Sequence, residues 1–245
     1  MLRTTFDRRR ELERLSADEL ARFQLDRLNC LLAAILPRNR FYAEKLAGIR
    51  LPLPSLDQLG QLPLTAKDEL AQAGLDGLAA NHTYPIEHYT HFHRTSGTRG
   101  RPMVVLDTPD DWQWWVDTWQ FVLDAAELTA ADRVMMAFSF GPFIGFWTAH
   151  DAALARGALV IPGGGLTTLA RLELIQTSQA TALLCTPSYA LHLVEVAAEN
   201  GLDAASLAVR KIIVAGEPGG SVPAIRNRIE TAWNARLIDH AGATE

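Results

Sequence analysis

Along the first third of the chain the apolar positions keep a helical period. Leu20, Phe23, Leu28, Leu31 and Ile35 recur near every third or fourth residue, so residues 17 to 36 read as an amphipathic helix. Ser16 followed by Glu19 supplies a capping box at its start, and Pro37 stops it. A second short helix is expected over Arg38 to Leu46. The prolines of Leu51-Pro-Leu-Pro and Leu62-Pro-Leu-Thr-Ala-Lys-Asp then make an irregular connection, with a helix beginning after Thr65. Residues 1–87 therefore form a helical region in this reading.

From His88 to Thr95 the period drops to two, and Met103 to Asp107 is a second β-branched stretch, with Ser96-Gly97-Thr98-Arg99-Gly100 between them. Strand, glycine loop and strand make a β-hairpin. Thr108 caps a helix whose first turn holds Pro109, Asp110 and Asp111, and whose buried stripe is expected to be Trp112, Trp115, Trp119, Val122 and Leu123. Short strands then alternate with helices: 133–138, 158–161, 181–185, 211–215 and 236–239. That alternation predicts an α/β fold, a doubly wound, mostly parallel sheet preceded by the helical region and the hairpin. Ligands of such sheets sit at the carboxyl ends of the strands, and the glycine-rich or polar segments fall there. They are Phe140-Gly-Pro-Phe, Gly163-Gly-Gly, Thr186-Pro-Ser, Gly216-Glu-Pro-Gly-Gly-Ser and Ala241-Gly-Ala-Thr-Glu, which one cleft could gather.

Composition narrows the function classes. At 245 residues, 48% hydrophobic and 21% charged, the chain can bury a sizeable core. With 23 Lys and Arg against 28 Asp and Glu the net charge is -5, and no basic block interleaved with aromatics appears, which disfavours nucleic acid as a partner. Cys30 and Cys185 lie far apart in apolar sequence, so neither a disulfide framework nor a CxxC metal site can be built from them. No apolar run approaches the roughly 18 residues of a membrane span, and the first residues are too arginine-rich for a signal-peptide core. A cytoplasmic location is expected, with no membrane partner.

The loop from Thr95 to Pro102 offers the hydroxyls of Thr95, Ser96 and Thr98, the open backbone of Gly97 and Gly100, and the guanidinium groups of Arg99 and Arg101. Hydroxyl and amide donors can wrap phosphate oxygens while an arginine supplies fixed charge; a hairpin turn with solvated arginines is the plain alternative. The spacing is neither a Walker A loop nor GxGxxG. His91 and His93 face one side of a strand, but no third ligand follows, so they read as structural or as neighbours of a phosphate rather than as a metal site. Ser188 with His192 lacks the nucleophile elbow of a hydrolase, and Ser188 reads as a helix cap. Phe140, Phe143 and Tyr189 either line an aryl-acid pocket or belong to the core.

In order along the chain, Thr95-Ser-Gly-Thr-Arg-Gly-Arg-Pro, Ala215-Gly-Glu-Pro and Asp239-His-Ala-Gly-Ala-Thr-Glu resemble the phosphate loop, the G-A-E-P segment and the D-x-Y-G-x-(T/S)-E segment of the adenylate-forming superfamily. Within it the chain resembles the N-terminal part of the phenylacetate-CoA ligase family, through Phe41-Tyr, Leu59-Gly-Gln-Leu-Pro-Leu-Thr-Ala-Lys-Asp-Glu-Leu, His93 and Thr186-Pro-Ser-Tyr-Ala. The resemblance implies ATP-dependent activation of a small carboxylic acid, aryl or arylacetic, to an acyl adenylate and then a thioester of coenzyme A. It implies ATP, Mg²⁺ and coenzyme A as the accompanying groups, and residues 88–245 as a nucleotide-binding α/β region.

Carried over by position, Thr95, Ser96, Gly97, Thr98, Gly100 and Arg101 would hold the terminal phosphates, with Arg101 in place of the usual lysine. Gly216, Glu217 and Pro218 would line the adenine site and Asp239 would border it. Thr244 would reach the α-phosphate and Glu245 would ligate Mg²⁺. The chain departs from the family pattern at Ala241, where an adenine-stacking tyrosine is usual, so weakened ATP affinity is expected; it departs also at Arg99, which would either add a phosphate contact or obstruct one, and at Leu166, where relatives carry a polar residue.

Relatives continue past the Thr-Glu motif with a ribose-binding aspartate, a hinge and a mobile C-terminal domain, so the chain alone is expected to have weak or no ligase activity. Its sheet edge after 239 would favour association, as a homodimer or with a complementary C-terminal chain. A catalytically incomplete nucleotide-binding or regulatory protein, half of a split enzyme, and an amino-aryl acid adenylation enzyme serving a carrier protein are the alternatives.

Overall fold

A computed structural model describes residues 2–71, 79, 81–95 and 102–242. The described residues divide into two compact units, one over 4–112 and one over 113–242 that also takes in 2–3.

The Thr4–Trp112 unit begins with helices α1 (Phe6–Glu13) and α2 (Ala17–Ile35). The expected capping box is present: Ser16 Oγ accepts from the Glu19 amide, and Glu19 Oε2 accepts from the Ser16 amide. Helix α3 (Arg40–Lys45) starts two residues later than the sequence pattern suggested, because Asn39 caps it. Asn39 is buried, and it also donates to the Asn81 carbonyl at 2.7 Å and to Thr83 Oγ1 at 2.9 Å. A buried amide so partnered ties the helices to the segment that enters the hairpin. After the four-residue helix α4 (Lys67–Leu70), strands β1 (His91–Arg94) and β2 (Val104–Asp107) pair antiparallel with His93 opposite Val105. Strand β1 is shorter than the alternation implied, since Ile86–His88 forms a 3-10 turn instead. Cys30, expected in apolar surroundings, is exposed.

Helix α5 (Pro109–Ala125) leads into the second unit. Thr108 caps it as expected, its Oγ1 accepting from the Asp111 amide at 3.2 Å. The predicted stripe is only partly right: Trp112, Trp119 and Leu123 are buried, while Trp115 and Val122 are half-buried and Val116 and Gln120 lie inside. Gln120 explains the shift. Its amide donates to the Ala152 carbonyl at 3.1 Å and accepts from Arg156 Nε at 2.8 Å, and Arg156 in turn reaches Asp124 at 2.7 Å, so a satisfied polar network occupies part of the interface that periodicity assigns to apolar side chains.

The sheet contains β3 (Arg133–Met136), β4 (Leu159–Pro162), β5 (Ala182–Cys185), β6 (Lys211–Val214) and β7 (Arg236–Asp239) in the order β4-β3-β5-β6-β7, every pair parallel. Helices α6 (Ile144–Ala155), α7 (Thr168–Ser178), α8 (Pro187–Glu199) and α9 (Pro223–Trp233) make the crossovers. Met135, Leu183, Cys185, Ile212, Val214 and Leu237 share one core with Leu172, Ile175, Leu193, Ile229 and Trp233, so α7, α8 and α9 cover one face. The alternate residues Val134, Met136, Leu184 and Ile213, also buried, point to the other. Chain order reverses between β3 and β5, which makes that gap the topological switch point.

At the amino ends of the strands Asp132 accepts from the Thr129 amide (2.7 Å), Thr181 Oγ1 (2.8 Å) and Lys211 Nζ (2.8 Å). Burial works against its charge, but the bonds from Lys211, Thr129 and Thr181 outweigh it and hold the carboxyl below its usual range.

Candidate active site

Because all strands of the sheet are parallel, the turns singled out in the sequence leave it on one edge, the last of them described as far as Gly242. Backbone bonds that continue the ladders pin their roots: Ala137 to the Leu184 carbonyl at 2.9 Å, Gly163 to Met136 at 2.9 Å, Ala215 to Cys185 at 3.3 Å and His240 to Val214 at 2.8 Å.

The turn after β3 carries Phe140 and Phe143, both half-buried. Phe140 packs against Trp147 with centroids 4.9 Å apart and meets His150 edge-on at 5.8 Å. Trp147 Nε1 donates to the Gly141 carbonyl at 3.0 Å, folding the turn back on α6. Phe143 meets Phe146 edge-on at 6.2 Å, and Phe146 stacks on Phe138 at 4.2 Å. The next turn lies against this cluster: a Cβ on Gly164 would come within 2.6 Å of the Phe140 ring, so only glycine allows that approach.

Across the switch point, Thr186 rather than Ser188 caps α8, its hydroxyl accepting from the Tyr189 amide at 3.3 Å. Ser188, expected as the cap, instead donates its amide to Glu217 Oε1 at 2.7 Å. Pro187 occupies the first helical position, where the missing N–H costs nothing, so the carboxylate takes the next donor at a dipole end that favours negative charge. The bonds from Ser188, and after them that from Thr186, hold the Glu217 carboxyl below its usual range despite some burial. With the side chain so engaged, the exposed stretch Gly216-Glu217-Pro218 offers a ligand mainly its backbone; Gly216 has φ +94°, which a glycine adopts freely. Asp239 ends β7 half-buried and accepts from Ser221 Oγ. Gly220 packs directly on it, leaving no room for a Cβ (2.6 Å to Asp239 Cγ). The adjoining His240 lies 4.5 Å from Trp119, and burial lowers its pKa against the pull of Asp239.

In the other unit, Thr95 closes the hairpin: its amide donates to the Met103 carbonyl at 3.0 Å and its Oγ1 accepts from the Met103 amide at 3.0 Å. His91 and His93 form a stack with Trp112, at 3.9 and 5.2 Å, and His93 Nδ1 lies 3.5 Å from Asp107 Oδ2. Ser96, Gly97, Thr98, Gly100, Arg101, Thr244 and Glu245 lie outside the described residues. Among those described, no group of three or more His, Cys, Asp or Glu could hold a metal ion, and no helix is long and apolar enough to cross a membrane.

Sequence reasoning missed Trp147, His150 and above all Arg171. This arginine is 7% exposed; its Nε donates to the Gly163 carbonyl at 2.8 Å and its guanidinium lies 5.1 Å from the Tyr189 ring centre. The signal was a charge on the buried stripe Arg171, Leu172 and Ile175 of α7.

The sheet order and the crossover helices define an α/β domain with a doubly wound parallel sheet, and the comparisons with known proteins agree. No protein-family profile matches the chain. The solved structure of 2-hydroxyisobutyryl-CoA ligase in an open conformation, in complex with 2-HIB-AMP and CoA, superposes with a TM-score of 0.87 at 26% identity, covering 94% of this chain and 51% of that one. Over its length the chain is thus similar to the adenylate-forming CoA ligases. Its curated homologues are phenylacetate-coenzyme A ligases: that of Pseudomonas putida is 30% identical over 237 residues and that of Escherichia coli K12 31% identical over 239, each match taking in 96% of this chain. The chain spans about half the length of these relatives, 53% in both cases.

Proposed function

We propose that the chain carries the nucleotide- and acid-binding part of an acid–thiol ligase, which activates a carboxylic acid with ATP to an acyl adenylate and passes the acyl group to coenzyme A. The observation that carries this reading is the crowding, at one sheet edge, of an aromatic cluster on one side of the switch point and a glycine turn with two carboxylates, Glu217 and Asp239, beyond it. An apolar, aromatic-lined crevice suits an aryl or arylacetic acid, whose ring would lie among Phe140, Phe143 and Tyr189.

The backbone of Gly216, Glu217 and Pro218 fits the edge of an adenine base, since the Glu217 carboxylate is already taken up by α8. Asp239 would border the nucleoside. Thr95, with Ser96, Gly97, Thr98, Gly100 and Arg101, would grip the β- and γ-phosphates, Arg101 supplying charge, and Thr244 would bond the α-phosphate. Glu245 is the proposed ligand of Mg²⁺, which when bound neutralises phosphate charge. Attack on phosphorus asks the protein mainly for alignment and charge stabilisation, so positioning the carboxylate and excluding water are the tasks of these residues. A cytoplasmic location, and association with a second copy or a complementary chain, complete the proposal.

Titration of the chain with a non-hydrolysable phenylacetyl-adenylate mimic tests it. Binding tighter than that of AMP or phenylacetate alone is expected; no heat from the mimic, with the chain folded, would overturn it. Thioester formation on a carrier-protein thiol but not on coenzyme A would move the acceptor to the carrier protein.

A further inference from the structure

We propose that Arg171 is a positioning residue that sets the distance across the acid crevice, between the Phe140 turn and Tyr189; the proposal rests on the reading that these aromatics face the acid. A buried guanidinium is costly unless its donors are met. Here backbone carbonyls and a ring face meet it.

Nε donates to the Gly163 carbonyl at 2.8 Å and Nη2 to the Phe138 carbonyl at 3.4 Å, while the cation sits over Tyr189. The Tyr189 hydroxyl donates to Thr168 Oγ1 at 3.1 Å, in the first turn of the helix that carries Arg171. One planar group therefore ties the end of β3, the turn after β4 and the start of α8. Phe138 stands two residues before Phe140, and Gly163 adjoins Gly164, on which the Phe140 ring lies. Tethering both carbonyls fixes that ring from either side, and the stack fixes Tyr189 opposite. A lysine has three donors but no rigid planar fork to hold both carbonyls while facing a ring.

The test uses Arg171→Met, Arg171→Lys and Tyr189→Leu in the full chain, with two readouts: amide hydrogen exchange in 139–143 and 163–165, and the ratio of affinities for phenylacetate and 2-hydroxyisobutyrate in the presence of magnesium and ATP. A general loss of fold weakens both acids alike, whereas a displaced wall changes their ratio. Arg171→Met is expected to speed exchange in both turns and to shrink the preference for the ring-bearing acid by about tenfold, the scale of a lost charged hydrogen bond. Arg171→Lys should restore protection at 163–165 but not the full preference.

Should Arg171→Met fail to fold, Tyr189→Leu decides, lowering the preference with exchange in both turns as in wild type. Unchanged exchange together with an unchanged ratio overturns the proposal, as does a Tyr189→Leu variant of unaltered preference. A wild-type chain that binds neither acid refutes the acid-site reading instead; faster exchange in Arg171→Met then still supports the clamp, and unchanged exchange overturns it.

Discussion

Replacing Gly163 by alanine tests how closely the turn after β4 approaches the end of β3. A Cβ there would lie 2.4 Å from Met135 Cε and 2.8 Å from the Met136 carbonyl oxygen. The methionine methyl can swing aside, but Met135 is fully buried, and the Met136 oxygen belongs to backbone. That oxygen also accepts the Gly163 amide at 2.9 Å, so relieving the clash stretches the bond that roots the turn. Overpacking costs about 1–3 kcal/mol, and a weakened buried hydrogen bond adds about 1. The expected loss is therefore about 2–4 kcal/mol, out of a stability on the order of 5–15.

Urea denaturation should show a lower midpoint at an unchanged slope. Two neighbours separate the mechanisms. Gly165 has φ +77° and nothing within 4 Å of the point a Cβ would occupy, so Gly165→Ala carries only backbone strain, about 1–2 kcal/mol. Gly145, in α6 with open space around it, should gain up to about 0.5–1 kcal/mol on becoming alanine. A Gly163→Ala loss under about 0.5 kcal/mol, or smaller than that of Gly165→Ala, would refute the close approach.

Three further outcomes are expected. The folded pKa of Asp132 is depressed, so its stabilisation is complete above the unfolded carboxyl pKa of about 4 and fades as pH falls through the lower folded value. The advantage of wild type over Asp132→Asn, about 1–3 kcal/mol at neutral pH by urea titration, should therefore shrink toward strongly acid pH, and a gap independent of pH would contradict it. Burial pushes the Cys185 thiol well above its ordinary range while Cys30 is exposed, so a thiol reagent should label Cys30 alone in the native chain and both after unfolding, as read by peptide mass. Glu217→Ala should cost about 0.5–1 kcal/mol of stability, seen as a modest fall in the thermal midpoint, because the α8 terminus loses its anion; an unaltered midpoint would mean that the Ser188 contact carries no energy.

The β-strands were legible because burial on both faces turned them into short apolar runs between turn residues. Lys211–Val214 and Arg236–Asp239 stand within one residue of their expected bounds. Helix caps at Ser16 and Thr108 were equally plain, since a hydroxyl three residues before an acid is a local code. Ser188 was misread as a cap, because Thr186 two residues earlier offered the same chemistry and only the helix geometry chose between them. Arg171 escaped, because nothing adjacent to it in sequence says which carbonyls it will meet.

Alternation of strand and helix, with glycines at the strand ends, determined by itself that the sheet would be parallel and that its turns would gather on one edge: a right-handed crossover permits little else. Which turn meets which was left to the tertiary structure. That Glu217 caps α8, that Gly164 lies on Phe140 and that one guanidinium spans two turns are contacts across the order β4-β3-β5-β6-β7. They join residues 8 to 33 positions apart, and a pattern with a period of two or four residues carries no information at that range.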